Sequence, residues 1–167
     1  MRAGSSLLLL IPGLLMHACS GDSSAVFADR AAASGLDFVH FNGMSGELYF
    51  VEMMGSGAGM FDYDNDGDLD LYLVQGHLLG ASETLLPPLQ APPIIDRLYR
   101  NDSDDSGLRF VDVTEASGIE AGAYGMGIAC ADIDNDGNTD LYLSNFGTNQ
   151  LWRNLGDGTF VDITEKS

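Results

Sequence analysis

Cationic side chains are scarce in this chain. Lys166 is its only lysine, and 7 basic residues face 25 acidic ones across 167 positions, for a formal charge of −18. Phosphate binding needs a basic patch, and none is present, so a nucleic-acid binder is excluded. Cysteine is also rare. Cys19 and Cys130 are too few for a disulfide framework, and Cys130, in Gly127-Ile128-Ala129-Cys130-Ala131, reads as a small buried hydrophobe. The histidines at 17, 40 and 77 lack zinc-site spacing with a cysteine or with one another. What the chain does have is 45% hydrophobic residues, which argues against disorder, and a length that suits one domain with a real core. Its 21 glycines point to short strands and turns rather than helices.

The amino terminus reads as an address. Met1-Arg2 carries one positive charge, and Leu7 to Leu15 is apolar apart from Pro12 and Gly13. That run is too short to span a bilayer but suits the core of a signal peptide. Ala18-Cys19, followed by the polar Ser20-Gly21-Asp22, resembles the lipobox of bacterial lipoproteins, in which Cys19 is lipidated and becomes the first mature residue. Ordinary cleavage after Ser20 is the alternative. Residues 1–19 are therefore expected to be a leader and 20–26 a short linker. The mature protein is expected to be exported, and either secreted or held at the cell envelope by a lipid that anchors without spanning.

Self-comparison is the most informative step. At an offset of 70, Gly55 to Leu73 lies over Gly125 to Leu143 with eleven of nineteen positions identical. Leu98-Tyr99-Arg100-Asn101 recurs as Leu151-Trp152-Arg153-Asn154. Phe27-Ala28-Asp29 recurs as Phe110-Val111-Asp112 and Phe160-Val161-Asp162. The order is constant: glycine-led apolar segment, aspartate loop, Leu-Tyr-Leu, Leu-aromatic-Arg-Asn, Phe-x-Asp. Each piece is a strand by its length, composition and flanking turn residues. Four consecutive strands per repeat describe a β-propeller blade, so the expected fold is all-β. Two such blades are fewer than the four that closure requires, which makes the expected propeller incomplete. The repeats are placed at 27–109 and at 110–167, the latter including the start of a third. A proline-rich insertion around 85–93 is read as a surface loop and a candidate contact surface. Helix is expected only as a turn near Ala31 to Ser34 or Thr114 to Ser117.

The chemistry lies in two loops, Asp62-Tyr63-Asp64-Asn65-Asp66-Gly67-Asp68-Leu69-Asp70 and Asp132-Ile133-Asp134-Asn135-Asp136-Gly137-Asn138-Thr139-Asp140. Both read D-x-D-N-D-G-x-x-D. Alternate carboxylates on a coiled loop converge on one centre, the sixth-position glycine permits the sharp turn, and dense hard oxygens select calcium. The expected ligands are the side chains of Asp62, Asp64, Asp66 and Asp70 with the carbonyl of Asp68. In the second loop they are Asp132, Asp134, Asp136 and Asp140 with the carbonyl of Asn138. Asn65 and Asn135 are read as turn residues. An EF-hand would need a glutamate at position 12 and flanking helices, and Leu73 and Leu143 stand there instead. The remaining alternative is a solvated acidic loop without an ion.

These loops between strands resemble the FG-GAP/VCBS repeats of integrin-type seven-bladed propellers. Phe27-Ala28-Asp29 with Ser34-Gly35-Leu36, Met54-Gly55-Ser56-Gly57 and Leu151-Trp152-Arg153-Asn154 narrow the likeness to bacterial relatives of cartilage acidic protein, the ASPIC/UnbV proteins. The resemblance covers about residues 25 to 167. It implies calcium in the hairpin between the first two strands of each blade, about two ions in all, and an exported propeller without assigned catalysis.

A search for an active site finds little. Gly55-Ser56-Gly57-Ala58-Gly59 is neither a nucleophile elbow nor a dinucleotide fingerprint, and its glycines are read as allowing first strands to pack closely. His40 is read as a partly buried histidine before the Asn42-Gly43 turn, and Tyr72, Tyr99, Tyr142 and Trp152 as sheet-core or blade-packing residues. The expected function is calcium-stabilised adhesion or interaction with an extracellular or envelope protein or glycan. The alternative is part of a larger secreted enzyme whose catalytic part lies elsewhere.

Overall fold

The computed structural model describes residues 27–80, 83–89 and 92–166. The leader and Cys19 lie outside the described residues. Two four-stranded antiparallel sheets account for the regular structure. The first contains β1 (Ala58–Phe61), β2 (Asp70–Leu73), β3 (Arg97–Asn101) and β4 (Phe110–Asp112); the second contains β5 (Gly125–Ala131), β6 (Asp140–Asn145), β7 (Gln150–Asn154) and β8 (Phe160–Asp162). Each sheet is a meander in chain order, as a propeller blade requires. Equivalent residues pair in both: Phe61 with Asp70 and Ala131 with Asp140 close the aspartate hairpins, while Asn101 with Phe110 and Asn154 with Phe160 join the outer strands.

The pairing shows which sheet each Phe-x-Asp strand joins. Phe110–Asp112, placed above at the start of the second repeat, is the last strand of the first sheet, and Phe160–Asp162 is the last strand of the second. A Phe-x-Asp phrase has no marker of ownership in sequence; the ladder to β3 or β7 decides it. The Ser-Gly phrases end single helical turns at Ala32–Ser34 and at α1 (Thr114–Ser117), as expected. Two further 3₁₀ turns, Phe50–Met53 and Thr164–Lys166, were not expected. The first depends on buried Glu52, whose Oε1 accepts from Ser45 N–H and Oγ at 3.1 and 2.6 Å, a contact that no local pattern announces. The insertion forms no strand among its described residues. No helix among the described residues is long and apolar enough to cross a membrane.

The core lies between the sheets. Phe61, Tyr63, Tyr72, Val74 and Leu98 of the first repeat meet Leu141, Leu143, Trp152 and Phe160 of the second, with Ile119 and Ala121 from the connection. Each such side chain contributes about 1.5–3 kcal/mol by leaving water, so neither sheet retains this core alone. Cys130 packs half-buried against it, and burial pushes its thiol up to about 11.

Tyr142 departs from expectation. Its counterpart Tyr72 is fully buried, whereas Tyr142 is 43% exposed, because Tyr72 faces the second sheet and Tyr142 faces away from the first. His40 is exposed by area, though neighbouring atoms partly desolvate its ring. Partial desolvation still lowers its pKa, against a hydrogen bond with Gln75, and the Ser56 hydroxyl donates elsewhere, to the Gly125 carbonyl at 3.1 Å.

The inner strands approach closely through glycine. A Cβ on Gly57 would sit 2.8 Å from Gly127 Cα, closer than real contacts allow. Gly57→Ala is therefore expected to force the sheets apart and cost about 1–3 kcal/mol, read as a lower urea midpoint. An unchanged midpoint would contradict the tight junction.

Candidate metal centres

Both aspartate loops are the hairpins between the first two strands of their sheets, β1–β2 and β5–β6. Strands rather than helices flank them, which removes the EF-hand reading. Asn65 and Asn135 sit at the fourth position with φ of 61° and 60°, and Gly67 and Gly137 at the sixth with φ of 97° and 92°. A Cβ on either glycine would meet nothing within 4 Å, so backbone conformation alone selects glycine. Asparagine is the ordinary residue that best tolerates the left-handed region, and both asparagines shape the turn as expected.

The coil is held by its own carboxylates. Asp62 Oδ1 accepts from the N–H of Asp66 at 3.2 Å and Oδ2 from that of Gly67 at 3.0 Å. Asp132 repeats this with Asp136 and Gly137 at 3.1 and 2.9 Å. The ninth aspartates are buried beneath the loops. Asp70 accepts from Tyr63 N–H at 2.8 Å and Asn101 N–H at 2.9 Å; Asp140 accepts from Ile133 N–H at 3.0 Å and Asn154 N–H at 2.8 Å.

In the first loop Asp62, Asp64 and Asp70 each place an oxygen within 4.8 Å of the others; in the second Asp132, Asp134 and Asp136 do so. Two oxygens on one calcium ion, each about 2.4 Å from it, can be no farther apart than about 4.8 Å, a limit that both sets meet. Asp66 lies outside the first set and Asp140 outside the second. Asp66 Oδ1 instead accepts from Asp68 N–H at 3.1 Å, and the Asn138 side chain binds Asp136 Oδ1 at 2.9 Å.

Charge crowding is strongest in the first loop. Burial pushes Asp70 up to about 6, with Asp64 and Asp66 adding repulsion against its two backbone hydrogen bonds. Asp64 is raised by burial and by Asp66, and Asp68 by desolvation and by Asp66, Asp64 and Asp62. Asp64 Oδ1 and Asp68 Oδ1 are both buried without a hydrogen-bond partner among the described residues. Buried carboxylate oxygens left unpaired are costly, and a divalent cation satisfies several at once. The donor set is all oxygen and fits calcium. In the second loop the set is exposed, because Tyr63 stacks on Phe160 at 6.5 Å whereas its counterpart Ile133 is exposed.

The residues that hold the ninth aspartates were not assigned a role from sequence. Asn101 and Asn154 do so through backbone N–H groups, and each also donates its amide to the carbonyl before that aspartate, Leu69 at 3.1 Å and Thr139 at 3.2 Å. Their signal was the recurring Arg-Asn at the end of the third strand.

Paired meanders whose first hairpins carry matched carboxylate coils define a repeat protein built from propeller blades. The model of one family, the FG-GAP-like repeat, matches residues 62–143 and again 132–167. The chain belongs to this family. A search of curated proteins found no match.

Proposed function

We propose that the chain is a calcium-binding propeller segment that serves adhesion or protein interaction, with calcium in a structural rather than catalytic role. The observation that carries this is the pair of aspartate hairpins, each with three carboxylate oxygens within 4.8 Å of one another, the first with two buried oxygens lacking partners among the described residues. Asp62, Asp64 and Asp70 would hold one ion and Asp132, Asp134 and Asp136 the other, with Asp66 and Asp140 and the carbonyls of Asp68 and Asn138 completing the proposed shells. The bound ion would offset carboxylate repulsion and fix the end of each blade on which loops meet a partner.

The finer parts of the reading come from sequence. They are an ASPIC/UnbV-like relative of cartilage acidic protein, exported in bacteria, with Cys19 as the lipid-bearing residue and an extracellular or envelope protein or glycan as partner. The seven-bladed ring is part of the same resemblance.

The test is a calcium titration of the chelator-stripped chain. Two ions are expected in the wild type and one in Asp64→Ala. With free calcium at 100 times the dissociation constant, each site adds about 2.7 kcal/mol to folded stability, seen as a melting temperature that rises with calcium and falls with chelator. A melting temperature indifferent to calcium, with no ion bound, would sink the reading.

A further inference from the structure

We propose that the two aspartate loops are coupled, so that calcium entering one raises the affinity of the other. This rests on the calcium reading above and adds a regulation of the same sites. Two amide bridges join the loops. At the surface, Asn65 donates its Nδ2–H to Asn138 Oδ1 at 2.8 Å. Asn138 in turn donates its backbone N–H and its Nδ2–H to Asp136 Oδ1, at 2.8 and 2.9 Å. A carboxylate of the second set is thus two hydrogen bonds away from the turn of the first loop.

The other bridge is buried. Asn154, with no exposed surface, donates its N–H to Asp140 Oδ1 at 2.8 Å and its Nδ2–H to the Tyr63 carbonyl at 2.8 Å. The N–H of Tyr63 holds Asp70 Oδ2 at 2.8 Å. The two ninth aspartates are therefore linked through Asn154 and the backbone of Tyr63. Asn101, the counterpart of Asn154, donates to Asp70 and Leu69 and accepts from Ser103 N–H, all within its own repeat, so among the described residues the cross-loop bond is specific to Asn154.

A cation immobilises the carboxylates that bind it, and part of the cost is ordering the loop. A loop already ordered through shared hydrogen bonds has less to lose when its own ion arrives, which makes the second binding tighter. Direct electrostatics works in the opposite sense, because an ion in one loop weakens the negative potential felt by the next ion. Positive cooperativity is therefore the signature of the hydrogen-bonded path.

The experiment is a calorimetric calcium titration of the chelator-stripped chain, with Trp152 fluorescence as a second readout. The wild type is expected to bind two ions with a Hill coefficient of about 1.4 or more, which for two equal sites means about fivefold coupling. Asn65→Gly keeps the left-handed turn and removes the surface bridge, and should lower the coefficient toward 1. Asn135→Gly makes the same change in the second loop, where the side chain has no hydrogen bond among the described residues, and should leave it unchanged. Two ions binding independently in the wild type would overturn the coupling while leaving the calcium reading intact. Identical behaviour of Asn65→Gly and Asn135→Gly would do the same. No bound calcium at all would overturn both.

Discussion

Trp152→Ala is expected to lower stability by about 3–5 kcal/mol and the melting temperature by about 10 °C or more. Trp152 lies on β7, is almost fully buried and belongs to the core shared by both sheets. Truncation leaves a cavity bordered by rigid strands, and close-packed interiors relax only partly into such a void. The indole Nε1 has no hydrogen-bond partner among the described residues, so the loss is one of packing. The location makes a second expectation. If the sheets form one cooperative unit, hydrogen exchange should accelerate together in β2 and β6. Acceleration confined to the second sheet would mean that the blades fold independently, against the shared core described above.

Asp96→Asn is expected to remove the largest single contribution to the pH dependence of stability between about pH 4 and 7, leaving that of the raised aspartates of the first loop. Asp96 is buried, accepting from Tyr72 Oη at 3.0 Å and from Gln75 N–H at 2.7 Å. Burial pushes its carboxyl from 3.8 up to about 7, against those two hydrogen bonds. As pH rises through 4 the unfolded chain loses this proton while the folded protein keeps it. Stability therefore falls with rising pH until the folded carboxyl also ionises near 7. A displacement of about three pH units corresponds to about 4 kcal/mol. Asparagine supplies a neutral acceptor for Gln75 N–H and an amide for the Tyr72 hydroxyl, so the variant should be the more stable protein at pH 7 and nearly equal at pH 4. Urea unfolding at the two pH values reads the difference directly. An unchanged slope in the variant would mean that Asp96 is already ionised in the folded state.

Asp96 was invisible in the sequence, where it follows Ile94-Ile95 at the end of a proline-rich insertion. Its burial arises because Tyr72 and Gln75, 24 and 21 positions earlier, close over it. The aspartate loops, by contrast, could be read at once. Their function is confined to nine consecutive residues, and the turn is set by local requirements at the fourth and sixth positions. The strands flanking them were equally legible, since a four-residue strand bounded by turn residues carries its own period. Tyr72 and Tyr142 mark the limit of that reading. Identical phrases, Asp-Leu-Tyr-Leu, give one tyrosine that is buried and one that is exposed, because burial depends on which sheet lies opposite.

Sequence alone determined the repeat, the four-strand order within it, the acidic hairpins and the scarcity of cations that sets the charge at −18. Each of these is a local or compositional property, recorded in neighbouring residues or in a count. Only the tertiary structure decided which sheet owns each Phe-x-Asp strand, which copy of a repeated side chain is buried, and that Asn154 and Asn65 tie one aspartate loop to the next. The first rests on the ladder from β4 to β3, and the asparagine ties join residues 73 and 91 positions apart, whose geometry exists only once the two sheets have packed.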